Sequence, residues 1–245
     1  MVTCYDYTFA RVLSRSPIDA ILVGDSAAMV MHGRRSTLSA SVEMMALHTE
    51  AVVRGAGDKF VVADMPFLSF RKGVAPALDA AARLMTAGAA AVKLEGVDGH
   101  EDVIQRLVES GIPVMGHLGL QPQQIHSYGR YCVQGRTADS AKQILRQAAT
   151  LEHSGVFAIV LECVPANLAE EITSTLRIPT IGIGAGAGCD GQILVLQDLL
   201  GMNAGFRPKF ARPFLDGERT VIDALTRFDE AVKAGTFPSP EESYS

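Results

Sequence analysis

FVVADMPFLSFRKGVAPALDAAARLMTAGAAAVKLEG, residues 60–96, contains one complete unit of the pattern that decides the fold. It opens on an apolar run, FVVADM at 60–65, and continues as APALDAAARLMTAG, in which apolar residues recur three and four apart. It closes on a second apolar run, AAVKLEG at 90–96. Runs that are apolar on both faces suit strands buried between a core and a helical layer. A helix between two such strands makes a parallel crossover.

The same rhythm extends in both directions. Further strands are expected at MVTCY (1–5), AILVGD (20–25), PVMGHL (113–118), AIVLEC (158–163), PTIGIGA (179–185) and QILVL (192–196), which brings the total to eight. VEMMALHTEAVVRG, HEDVIQRLVESG, SAKQILRQAATLEHSG and ANLAEEITSTLR have helical periodicity and separate them. Gly88, Gly111 and Gly155 stand between a helical pattern and the next strand, where a left-handed cap favours a residue without Cβ. An open doubly wound sheet would carry a phosphate fingerprint in its first strand-to-helix turn, and CYDYTFAR has none. The fold class expected is therefore α/β, a single (β/α)8 TIM barrel, which commonly uses about 250 residues. Its boundaries are 1–235, including a terminal helix within 213–235, followed by a flexible tail at 236–245 rich in Pro, Ser and Glu. Two connections, residues 26–40 and 119–138, are long enough to be lids or binding loops.

Composition removes several classes of function. Of 245 residues, 48% are hydrophobic and 20% charged, so the chain can bury a large core. Its 22 basic residues against 27 acidic ones leave no positive excess for a phosphate backbone, and no nucleic acid partner is expected. The apolar runs stop far short of the roughly twenty residues a bilayer requires. No membrane partner is expected, and with no export signal at the N-terminus the expected location is cytoplasmic. Cys4, Cys132, Cys163 and Cys189 are widely spaced and suggest neither a disulfide framework nor structural zinc.

The acids carry the chemistry. Asp25 ends AILVGD, Asp64 lies near the end of FVVADM, Glu95 ends AAVKLE, and Glu162 is the penultimate residue of AIVLEC. Parallel strands put their C-terminal ends on one barrel face, where the active sites of such barrels lie. Two unit charges about 4 Å apart at an effective dielectric near 20 repel by about 4 kcal/mol. Lys93, on the same strand face as Glu95, offsets only part of that. Either some acids are protonated or a cation is bound. With oxygen donors and no His or Cys at ligand spacing, Mg2+ fits better than Zn2+. His117 ends the fifth strand, where it can donate to a substrate oxygen or serve as a core histidine. Ser26 can bind a carboxylate or cap the chain after the strand. IGIGAG at 181–186 is weak as a phosphate motif and equally suits close backbone approach to a ligand.

Taken together, LVGDSAAM, VVADMPF, VKLEG, GHLGLQPQ, VQGR, VLECVP and IGIGAG followed by DGQ resemble the ketopantoate hydroxymethyltransferase family in order and spacing. The resemblance implies a barrel of the phosphoenolpyruvate mutase/isocitrate lyase type. It implies transfer of a hydroxymethyl group from 5,10-methylenetetrahydrofolate to 3-methyl-2-oxobutanoate, giving ketopantoate for pantothenate and coenzyme A. It further implies Mg2+ held by Asp25, Asp64 and Glu95, the last directly or through water. Substrate contacts fall to Asp25, Ser26, Asp64 and Lys93, and proton acceptance to Glu162, with a supporting hydrogen bond from His117. A homo-oligomer, commonly a decamer, is implied as partner state, with the helix at 213–235 reaching a neighbour. Family members usually carry a further N-terminal helix across the barrel floor, which is expected to be missing here. GDSAAM departs from the commoner GDSLGM beside the metal site. A carbon–carbon lyase of the same barrel group would tend to carry a KKCGH-type loop, which is absent from the sequence; a metal-binding scaffold without turnover is the other alternative.

Overall fold

Strands buried on both faces pair in parallel only if the chain crosses over between them. In the computed structural model, which describes residues 1–203, 205 and 208–244, it does so around a complete ring. The strands are β1 (Val2–Thr3), β2 (Ala20–Val23), β3 (Phe60–Asp64), β4 (Ala91–Lys93), β5 (Val114–Gly119), β6 (Ala158–Glu162), β7 (Thr180–Ile183) and β8 (Gly191–Gln192). They lie in sequence order, each parallel to the next. A parallel bridge between Val2 and Leu194 closes the barrel, and the Thr3 amide donates to the Leu194 carbonyl at 3.0 Å.

The helices are α1 (Tyr7–Leu13), α2 (Ala27–Val30), α3 (Val42–Ala56), α4 (Val74–Thr86), α5 (Glu101–Glu109), α6 (Ile125–Tyr128), α7 (Ala138–His153), α8 (Ala166–Thr175), α9 (Leu196–Leu199) and α10 (Gly217–Lys233). Local chemistry starts several of them. Asp6 accepts the Phe9 amide at 2.9 Å ahead of α1, and Ser41 accepts the Met44 amide at 3.1 Å ahead of α3. Thr137 and Ser140 form a reciprocal capping box at α7. Gly88, Gly111 and Gly155 have φ of 102°, 82° and 86°, as left-handed caps require.

One expected boundary shifts. The eighth strand ends earlier than 192–196, because the chain makes only the Leu194 bridge before turning into α9. Residues 184–190 join β7 to β8 with no helix between them. The expected tail contains a 3-10 turn, Pro240–Glu242, closed by a Ser239–Glu242 capping box; Ser245 lies outside the described residues.

Contacts divide the chain into two compact units, the barrel through Val195 and the segment from Leu196 onward. The barrel interior is filled by Leu22, Val62, Ala91, Met115, Ala158, Val160 and Ile193. Side chains alternate along a strand. The next inward positions toward the C-terminal ends are therefore Asp64 on β3, Lys93 on β4, His117 on β5 and Glu162 on β6, with Glu95 two residues beyond Lys93. One parity rule both fills the core and loads the mouth with charge.

Candidate active site

Asp25, Asp64, Lys93, Glu95 and His117 are all buried, each 5% exposed or less. Their contacts form one connected set. Lys93 Nζ lies 2.9 Å from Asp64 Oδ1 and 3.4 Å from His117 Nδ1. The Asp25 amide donates to Asp64 Oδ2 at 3.0 Å. His117 stands between two acids, its Nδ1 3.5 Å from Glu95 Oε1 and its Nε2 3.2 Å from Glu162 Oε2. Thus the side chains singled out in the sequence at the ends of β2 to β6 do meet in the barrel mouth.

Burial is the largest force on every titrating group resolved here. It pushes the Asp25 carboxyl well above the usual carboxylate range, and the charges of Asp64 and Glu95 push the same way against Lys93 and Gln123. Burial also raises Asp64, although Lys93 opposes it. For Lys93 burial pulls the ammonium down, but Asp64, Glu95 and Asp25 outweigh it and the net shift is upward. Burial and Lys93 likewise pull the His117 imidazole down, while Glu162 and Glu95 prevail and push it up to about 9.

Glu162 differs from the other acids. Its side chain is 18% exposed where that of His117 beside it is 3% exposed. Two backbone features aim it. Gly119 has φ of 89°, and a Cβ there would collide with the Glu162 carbonyl, so β5 and β6 approach each other as only glycine permits. Cys163, immediately after Glu162, is held at φ of 49° by two hydrogen bonds: its N–H donates to the Ile183 carbonyl at 2.8 Å, and its own carbonyl accepts from the Gln134 N–H at 2.9 Å. A non-glycine residue in that region is strained.

Two residues of the site escape reading from the sequence. Gln123 enters from the 119–138 connection: its side-chain nitrogen donates to Asp25 Oδ2 at 2.8 Å and to the Met65 carbonyl at 3.1 Å, and its amide donates to Glu95 Oε2 at 3.0 Å. It thereby spans two of the acids. Tyr5, at the tip of β1, places its hydroxyl 2.8 Å from Ser26 Oγ. Only the length of the 119–138 connection hinted at the first, and nothing local marks the second. Ser26 begins α2 without capping it, which leaves its hydroxyl to Tyr5 and the mouth.

The donor set suits a hard cation at Asp25 and Asp64. Both are oxygen donors, and the net repulsion at Asp25 is what a divalent ion would relieve. Among the described residues, no group of three or more His, Cys, Asp or Glu side chains stands ready to hold a metal ion. Glu95 is engaged by the Gln123 amide, and a Mg2+ shell here would take its remaining oxygens from water or substrate, as Mg2+ commonly does.

Comparison with known proteins bears on the family and the fold. The ketopantoate hydroxymethyltransferase family model matches residues 1–240. All of the chain aligns, at 57% identity, with 93% of the 3-methyl-2-oxobutanoate hydroxymethyltransferase of Bdellovibrio bacteriovorus. The protein of the same name from Coxiella burnetii is 54% identical over 98% of the chain and 91% of its own length. Among solved structures, 2,3-dimethylmalate lyase, a PEP mutase/isocitrate lyase superfamily member, superposes with a TM-score of 0.59 at 14% identity, over 100% of this chain and 85% of that one. Phosphonopyruvate hydrolase gives 0.62 at 10% identity, over 100% and 85%. Those two likenesses show the TIM-barrel type of fold. With a family model that spans residues 1–240 and relatives identical at more than half of the aligned positions, the chain belongs to the ketopantoate hydroxymethyltransferase family.

Proposed function

We propose that the chain transfers a hydroxymethyl group from 5,10-methylenetetrahydrofolate to 3-methyl-2-oxobutanoate, giving ketopantoate for the synthesis of pantothenate and coenzyme A. The observation that carries this reading is Glu162, an accessible carboxylate facing a buried cluster of acids, Lys93 and His117. Removing a proton from carbon 3 of a 2-keto acid needs a base on one side and positive charge at the keto oxygen on the other. Glu162 takes the proton from carbon 3. Water cleaves the methylene carbon from both folate nitrogens, releasing tetrahydrofolate and leaving the carbon at the formaldehyde level. The electron pair on carbon 3 adds to that carbon, whose water-derived oxygen takes up a proton as the new hydroxyl. His117 holds Glu162 Oε2 in place from 3.2 Å. Ser26 and Lys93 donate to the substrate carboxylate and keto oxygen, and Asp25 and Asp64 face the same substrate.

Asp25 and Asp64, with Glu95 directly or through water, are the residues that would hold Mg2+, which when bound supplies Lewis-acid stabilisation of the charge developing on the substrate oxygens. A base alone typically contributes about 10² to 10⁴ in rate, short of what enzymes reach. No described helix is long and apolar enough to cross a membrane, in keeping with work in the cytoplasm. The exposed apolar residues of α10 support a homo-oligomer, of which a decamer is the commonest family form. The test is formation of ketopantoate from keto acid, methylene donor and Mg2+, abolished by chelation and strongly reduced in Asp64→Ala. A folded, metal-loaded protein that makes no ketopantoate contradicts the assignment.

A further inference from the structure

His48, on α3 outside the mouth, is half-buried and touches none of the acids described above, yet its two ring nitrogens are both engaged. Its Nδ1 lies 2.6 Å from the Tyr5 carbonyl oxygen, and its Nε2 lies 2.9 Å from the Nε2 of His32. The carbonyl can only accept, so Nδ1 of His48 carries the proton. In the neutral ring Nε2 is then a bare lone pair, and His32 must donate to it from its own Nε2. The two contacts together fix one tautomer for each histidine.

Packing holds His48 to this position. Gly55 lies two turns further along the same face of α3, and a Cβ there would stand 2.9 Å from Ala10 Cβ and nearer still to the Tyr7 carbonyl. Helices α1 and α3 are thus in backbone contact, and the His48 ring meets the Tyr5 ring edge-on at 6.4 Å. From Tyr5 the connection runs into the site: its buried hydroxyl sits 2.8 Å from Ser26 Oγ, beside Asp25.

We propose that His48 is a positioning residue for the substrate carboxylate, acting through Tyr5 on Ser26. By fixing the Tyr5 carbonyl it fixes the phenol 2.8 Å from Ser26 Oγ; either hydroxyl can donate across that contact, and when the substrate carboxylate takes the Ser26 proton the phenol is the donor to Ser26 Oγ. His32 completes the arrangement by tying the segment after α2 to the same ring. The inference rests on the reading of Ser26 as a substrate contact.

Two measurements on the full chain test it. Side-chain nitrogen NMR should find His48 with its proton on Nδ1 and Nε2 bare, a result independent of any activity. In initial-rate kinetics, His48→Leu should raise KM for 3-methyl-2-oxobutanoate about tenfold with kcat changed less than about twofold, the size of one lost hydrogen bond to a charged group. His48→Asn, which keeps a donor at the Nδ1 position, should recover most of the loss. Tyr5→Phe should raise KM similarly, and adding His48→Leu to it should have no further effect. A proton on Nε2 of His48, an unchanged KM in His48→Leu, failure of the Asn rescue, or additive effects with Tyr5→Phe would each overturn the proposal. If wild-type protein shows the tautomer but does not turn over the keto acid, the functional reading falls and the role of His48 falls with it. Turnover with KM unchanged in His48→Leu removes the inference alone.

Discussion

Lys93 and His117 are the two basic side chains set among four acids, and removing Lys93 leaves charge stranded in a dry mouth. Lys93 bridges Asp64 at 2.9 Å with both partners buried. Deleting one member of a buried pair typically costs about 3–5 kcal/mol, so Lys93→Met is expected to lose that much in urea unfolding, and Asp64→Asn in the same chain to restore a large part of it. His100 offers a test by pH. Burial, helped by the Arg71 charge, holds its imidazole down at about 4. The unfolded value is about 6.5, so between the two the unfolded chain binds a proton that the folded chain refuses. Stability is then fully present above about 6.5 and falls as the pH drops toward about 4, with a slope of up to about 1.4 kcal/mol per unit. His100→Phe, which keeps a ring beside Phe70, is expected to flatten that slope in unfolding titrations; an unchanged slope contradicts it. The acids were legible in the sequence because each stands at or near the end of an apolar run, Asp64, Glu95 and Glu162 with inward parity and Asp25 just past the end of β2. Gln123 and Tyr5 were not, since their partners lie 98 and 21 residues away and depend on how loops close.

The connection at 119–138 shows where periodicity stops being informative. It contains a 3-10 turn at Pro122–Gln124 and the four-residue α6, both too short to display a repeat, yet it delivers Gln123 onto Asp25. Gln123→Ala is expected to free Asp25 while the backbone amide stays on Glu95, weakening keto-acid binding about tenfold in calorimetry; unchanged binding would show the side-chain clamp to be idle. At the other end of the loop, the capping box of Thr137 anchors α7, and Thr137→Ala should cost about 1 kcal/mol in denaturant unfolding. Strands β2 to β7 were read from runs that are apolar throughout, and they stand where those runs lie. The end of β8 was misplaced because GQILVLQDLL stays apolar across the strand, the Leu194 bridge and the start of α9, so composition marks no boundary.

Across the whole molecule, the alternation of strand and helix is what made a closed barrel legible, while assembly is written in surface chemistry. Val221, Ile222, Leu225, Phe228 and Val232 form a stripe along α10, with Leu225 62% and Phe228 55% exposed. A stripe of this kind on a water-facing helix is what a subunit contact would cover. Light scattering is expected to show an oligomer that Leu225→Glu with Phe228→Glu dissociates without unfolding the barrel; a monomeric wild type would contradict it. The central claim is that Glu162 removes a proton from the keto acid held before it. Its most direct test is incubation with 3-methyl-2-oxobutanoate and Mg2+ in D2O without folate. Deuterium is expected at carbon 3 with wild-type protein and none with Glu162→Gln. Exchange that persists in Glu162→Gln, or none in folded, metal-loaded wild type, would contradict it.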